Sequence, residues 1–140
     1  MKQLTWNKIF ILTLFSSTIF ANKINCKESF VTTVIRTEKI TVPKEVCFLV
    51  EKNKEYYISK KCNKKCSALQ DQKIFVSPKR LHSTSGTPNF KLCSAYKGHP
   101  EIVVLNEGRP NEKMTDKCTF KDGSFVTTTY LMDQYSKIMF

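Results

Sequence analysis

The residues of this chain best suited to chemistry are its six cysteines: Cys26, Cys47, Cys62, Cys66, Cys93 and Cys118. A cysteine can ligate a metal, exchange electrons or cross-link the chain. Cys62 and Cys66 have the C-x3-C spacing that a zinc site can use. Lys61, Lys64 and Lys65 beside them favour thiolate, so a redox pair is a second reading of the same residues. A zinc site of this type needs a further cysteine pair or a closely spaced histidine pair. Neither is present, and His82 and His99 stand far apart. An even number of cysteines in an exported chain reads as a disulfide framework, with 15 connectivities open to six cysteines. The expectation is three structural disulfides and no metal or cofactor.

The other reactive side chains are scattered. His82 opens the stretch His82-Ser-Thr-Ser-Gly-Thr87, which invites a hydrolase reading, but no nucleophile elbow, zinc-protease motif or Gly-rich phosphate loop accompanies it. Asp116 and Asp122 suit solvent exposure and turn chemistry. No catalytic residue is expected, and the chain reads as a non-enzyme.

The N-terminal residues imply export. Residues 1–8 carry Lys2 and Lys8 and no acid, residues 9–15 are almost wholly apolar, and residues 16–21 are small and polar, ending at Ala21. These are the three regions of a cleavable signal peptide. The apolar run falls short of the ~20 residues that cross a bilayer. Asn25 occupies the position before Cys26 where lipid attachment wants a small residue. Residues 1–21 are therefore expected to be a signal, and residues 22–140 a single secreted or periplasmic domain with no transmembrane span.

The full chain has 23 basic against 12 acidic side chains, a net charge of +11. This balance favours anionic partners, such as envelope components or nucleic acid. The densest basic patch is Lys52, Lys54, Lys60, Lys61, Lys64 and Lys65, interleaved by Tyr56 and Tyr57, whose rings could stack on bases or sugars. The same lysines also serve to protect strand edges, and no nucleic-acid motif accompanies them.

Residues 28–59 read as β structure. Phe30–Ile35 is β-branched, Ile40–Val42 forms a second piece that Pro43 stops, and Val46–Val50 is a continuous apolar run expected of a strand buried on both faces. Residues 45–60 form a hairpin turning at Lys52–Lys54. Residues 62–72 read as a short helix or loop, and Lys73–Val76 as a further strand. His82–Thr87 is a polar connection between a β-rich part (22–80) and a second part (87–135). There Thr87 is a helix N-cap, Pro88 takes the first helical position, and Gly98 takes the C′ position after the helix. Strands then follow at Glu101–Leu105, Lys117–Phe120 and Phe125–Met132, the last two joined by a turn at Asp122-Gly123. Cys93 to Cys118, helix to sheet, is the favoured bridge. The expected fold class is α+β: a small disulfide-linked domain with an N-terminal β-hairpin region, a helix and a three-stranded antiparallel sheet.

Pro88, Cys93 and Gly98, followed by Cys118, Phe120, Asp122, Gly123 and Ser124, form P-x4-C-x4-G and C-x-F-x-D-G-S motifs. Over about residues 87–132 the chain resembles the bacterial secreted proteins labelled putative hemolysins, a family of unknown function. Thr87 and Lys97 replace the family's Asn and first Gly, and Val126 and Thr129 replace a cysteine and a tryptophan. The resemblance implies a small secreted or periplasmic domain and no particular chemistry.

The functional expectation is an exported, non-catalytic binding or interaction protein whose partner is another protein or an anionic envelope component. One alternative is a basic effector acting on envelope components or nucleic acid. Another is a protease-inhibitor-like module presenting the loop Asn106–Asn111, with Glu107 and Arg109 as its contacts, because a rigid loop loses little entropy on binding.

Overall fold

The computed structural model describes residues 24–63, 66, 69 and 74–139. The expected signal, residues 1–21, lies outside the described residues, as do Lys64, Lys65 and Lys73. Among the described residues there are six strands: β1 (Asn25–Ile35), β2 (Glu38–Glu51), β3 (Lys54–Ser59), β4 (His99–Leu105), β5 (Lys113–Thr119) and β6 (Phe125–Thr127). A 3-10 turn spans Lys60–Cys62, and the described residues hold three helices: α1 (Pro78–Leu81), α2 (Pro88–Ala95) and α3 (Thr128–Met139).

The strands form one closed antiparallel barrel in the order β1-β2-β3-β6-β5-β4. This corrects the expected α+β fold. The hairpin region and the C-terminal strands are not separate sheets. Ile58 of β3 pairs with Val126 of β6, and Val31 of β1 pairs with Leu105 of β4. These two seams join residues more than sixty positions apart in the chain, and no local pattern encodes them. Closure removes the sheet edges that two separate sheets would have exposed.

Alternation along the strands separates two cores. Val31, Val46, Tyr57, Val103, Leu105 and Phe125 fill the barrel, with Phe48 packed against them. Their neighbours Cys47, Ile58, Cys118 and Val126 face outward, where Leu92, Cys93 and Tyr96 of α2 and Leu131 and Tyr135 of α3 cover them. The run Val46–Leu49 is apolar because a strand under helices contacts protein on both faces. Val50, in the inner-face register of Val46 and Phe48 but at the open barrel mouth, is 55% exposed.

Three local expectations are also revised. β2 runs straight through Pro43, which pairs with Phe30. The Phe30 N–H donates to Asn106 Oδ1 and its carbonyl accepts from the Asn106 N–H. Phe30 therefore turns its polar groups away from β2, so Phe30 and Pro43 form a non-hydrogen-bonded pair, and the Pro43 nitrogen faces away from β1 where no donor is needed. Second, the strand expected over Phe125–Met132 ends at Thr127 and becomes α3. Thr128, Leu131 and Tyr135 are its buried residues, a helical spacing that the β-branched run Val126–Thr129 concealed. Third, Lys97 rather than Gly98 holds the left-handed position after α2, with φ 57°. The Lys97 N–H donates to the Ser94 carbonyl and the Gly98 N–H to the Cys93 carbonyl, both at 3.0 Å. That is a Schellman cap.

The α2 start is as expected: Pro88 is the first helical residue, and Thr87 accepts the Phe90 N–H. All six cysteines are paired, Cys26–Cys47, Cys62–Cys66 and Cys93–Cys118. The last is the expected tie between helix and sheet, and the first links directly opposed residues of β1 and β2.

Candidate functional site

A concave site lined by aromatic and charged side chains lies at the barrel mouth where β2 turns into β3 and β4 turns into β5. Phe48 and Tyr57 are cross-strand partners on the inner face. Their rings meet edge to face, 5.1 Å between centroids. β1 places the Lys27 ammonium 4.6 Å from the Phe48 centroid, and β5 places Lys113 4.9 Å from the Tyr57 centroid. Both are cation–π distances. Glu55 Oε2 accepts from the Tyr57 hydroxyl and from Lys113, each at 2.8 Å. The hydrogen bonds from Lys113 and then Tyr57 hold the Glu55 carboxyl below its ordinary pKa. Burial pushes the Tyr57 hydroxyl up, with Lys113 opposing and Glu55 reinforcing the shift.

These residues line a cleft of about 350 Å³, together with Asn25, Leu105, Asn106, Asn111 and Glu112. That volume lies within the ~300–1,000 Å³ of small-molecule sites. The far wall is the β4–β5 loop, held in place at each turn. Asn106 bonds both ways to Phe30, and the Gly108 N–H donates to Glu112 Oε2 at 2.6 Å. Asn106, Gly108 and Asn111 adopt positive φ, which asparagine and glycine tolerate best.

The two residues expected to make contacts from this loop are both engaged within the molecule. Glu107 forms an ion pair with Lys39. The Arg109 guanidinium lies 3.6 Å from the Phe30 ring centroid. The loop is thus a wall of the cleft rather than a projecting probe.

The basic patch divides between the two ends of β3. Lys52 and Lys54 lie at the β2–β3 turn, where Lys54 bonds both Asp133 oxygens, at 3.0 and 2.9 Å. Lys60 and Lys61 lie at the other end, Lys60 paired with Glu45 and Lys61 with the Asp122 carbonyl, both at 2.9 Å. His82 follows α1 and His99 opens β4. Both are exposed, and among the described residues neither is hydrogen-bonded to a serine or carboxylate.

The residues of the C-x-F-x-D-G-S motif all have structural roles. Phe120 is buried. Asp122 Oδ1 accepts from the Ser124 N–H at 2.9 Å and its hydroxyl at 2.5 Å, and Gly123 supplies positive φ to the turn.

A second cleft, about 410 Å³, lies between α1 and α2 beside Arg80, Ser83, Phe90 and Lys91. Its lysine is committed to structure: Lys91 donates to the Leu81 carbonyl and to the carbonyl and hydroxyl of Ser83.

No helix among the described residues is long and apolar enough to cross a membrane. No family model, curated protein or solved structure matches the chain.

The hairpin carrying Phe48 and Tyr57 is legible in the sequence, whereas the cleft is not. Lys27 and Lys113 are distant in sequence and meet the two rings only because the barrel closes. The one available signal was the alternation of Phe48 with Cys47 and Leu49, which puts the aromatic on the opposite face from the cysteine.

Proposed function

We propose that the protein is an exported, non-catalytic binding protein that takes a polar ligand in the cleft at the barrel mouth. The carrying observation is the pre-assembled cleft: an aromatic pair on two paired strands, bounded by a loop held at Asn106 and Gly108. Such rigidity lowers the ordering cost of binding. Within it, Lys27 makes no close ion pair among the described residues, although its charge helps hold Glu55 low, and Asn25 and Asn111 make no side-chain hydrogen bond among those residues. These groups offer donors and acceptors to a ligand above the apolar floor of Phe48 and Leu105. Export is supported by the three disulfides, which persist in oxidising compartments, and by the basic-apolar-small pattern of residues 1–21.

The alternatives draw less support. A basic effector needs a continuous patch of free charge, whereas Lys54, Lys60 and Lys61 are paired and lie at two ends of a strand. A protease-inhibitor-like module needs a projecting side chain, whereas Arg109 lies over Phe30.

The reading is tested by ligand-observed NMR on the purified protein, with a fixed panel of neutral sugars, uronic acids and dipeptides. The expected result is binding by at least one class that is weakened tenfold or more in Lys27→Ala/Asn111→Ala. If no panel member binds, or if binding is unchanged in that variant, the cleft is not the site.

A further inference from the structure

A second polar cluster lies inside the barrel, separate from the mouth. Its parts come from two walls. On one, Ser29 of β1 is the direct cross-strand partner of Lys44 of β2. On the other, Lys117 of β5 is the partner of Thr127 of β6. All four share the inner-face register of Val31, Val46 and Phe125. The two ammonium groups converge on one ring: Lys44 Nζ lies 6.0 Å and Lys117 Nζ 5.2 Å from the Phe125 centroid.

The charges in this cluster do not balance. Glu101 is its carboxylate, and both of its oxygens accept hydrogen bonds. Its Oε1 accepts from Lys117 and from Thr119, each at 2.8 Å, and its Oε2 from Thr33 at 3.4 Å. Lys44 has no carboxylate partner among the described residues. The positive charge left over is that of Lys44, which is half-buried and sits near Lys117, itself 3% exposed. Buried charges are normally paired.

The hydroxyls also lack acceptors and donors. Ser29 and Thr127 are 1% and 3% exposed, and neither hydroxyl has a hydrogen-bond partner among the described residues. Unpaired buried hydroxyls are uncommon in folded proteins and costly. Of the three Lys117 donors, two are used by Glu101 and Thr119.

We propose that the barrel interior binds one small oxyanion between Lys44 and Lys117, with the Ser29 and Thr127 hydroxyls donating to it. An oxyanion neutralises the surplus charge and supplies acceptors to both hydroxyls at once. A cation would meet two ammonium groups, and a neutral sugar would leave the charge unbalanced. Burial, with Lys44 repulsion adding to it and Glu101 opposing, lowers the Lys117 pKa; a bound anion would raise it. The chemistry is shared by inorganic oxyanions and by the carboxylate of a small organic acid.

The test is the thermal midpoint of the purified, disulfide-intact protein against sulfate, phosphate or acetate, with chloride at matched ionic strength as reference. The expected result is a saturable rise with at least one oxyanion. A rise with sulfate or phosphate points to an inorganic ligand, and one with acetate alone to a carboxylate. Lys44→Gln, at a half-buried position, and the isosteric Thr127→Val should each weaken the apparent affinity at least tenfold. No saturable rise in the wild type overturns the proposal. So does an unchanged response in Thr127→Val, or a Thr127→Val midpoint that exceeds the wild type at saturating oxyanion.

Discussion

Gly98 is packed onto the sulfur of Cys118. A Cβ built on Gly98 would fall 2.3 Å from Cys118 Sγ and 2.9 Å from Cys93 Sγ, closer than non-bonded atoms approach. The Cys93–Cys118 bridge therefore needs glycine at position 98 for space, not for backbone freedom. This explains the C-x4-G spacing in physical terms: the helix ends, the chain folds back over its own disulfide, and β4 begins. We predict that Gly98→Ala destabilises the protein by about 1–3 kcal/mol, the usual cost of overpacking a filled core. Chemical denaturation of the oxidised protein measures it.

The neighbouring residue should behave in the opposite way. Lys97 is exposed and holds φ 57° in the Schellman cap, a conformation that costs a side-chain-bearing residue roughly 1 kcal/mol. Lys97→Gly is expected to raise stability by a few tenths to about 1 kcal/mol, read from the denaturation midpoint at unchanged slope.

The disulfides should contribute unequally. The Cys93–Cys118 and Cys26–Cys47 bridges close separations of 25 and 21 residues, whereas Cys62–Cys66 closes 4. On the chain-entropy account, removing either long bridge costs roughly 3 kcal/mol and removing the short one about 2 kcal/mol. Paired Cys→Ser variants, compared by denaturation, give the order.

Acid should unfold the protein through its paired carboxylates. Hydrogen bonds from Tyr56 and then Lys54 hold Asp133 low, and those of Ser124 hold Asp122 low. At Glu101 burial works upward, but Lys117 and Thr119 outweigh it and the net shift is downward. A carboxyl depressed in the folded state adds stability above its unfolded pKa, about 4, and loses it as pH falls through the folded value. Stability should therefore decline from about pH 4 downward. Asp133→Asn should be less stable than the wild type at pH 7, with the difference narrowing toward pH 2. Urea midpoints across that range measure both.

The features legible in the sequence were those set by neighbours. Thr87-Pro88 announces the start of α2, Asp122-Gly123 announces the β5–β6 turn, and the polar residues Lys52 and Asn53, both at positive φ, turn the β2–β3 hairpin. Cys93 to Cys118 followed from placing one cysteine on the helix and the other on a strand. What stayed hidden depends on distant contacts. The Phe30–Pro43 pairing lets β2 continue only because Asn106, far along the chain, takes the polar groups of Phe30. Thr127 and Thr128 look alike, yet the first ends a strand and the second starts a helix, because Leu131 and Tyr135 have a barrel face to cover. The same holds for the cleft: Lys27 and Lys113 become neighbours of one aromatic pair through closure, which sets the site and leaves no local mark.

The most direct test of the central claim is backbone amide shift mapping on isotopically labelled protein, titrated with the panel members that score in the ligand-observed screen. Saturable shifts concentrated at Asn25, Lys27, Phe48, Tyr57, Asn106 and Asn111 are expected. Shifts confined to α1 and α2, or spread along the exposed lysines without saturation, would contradict that claim.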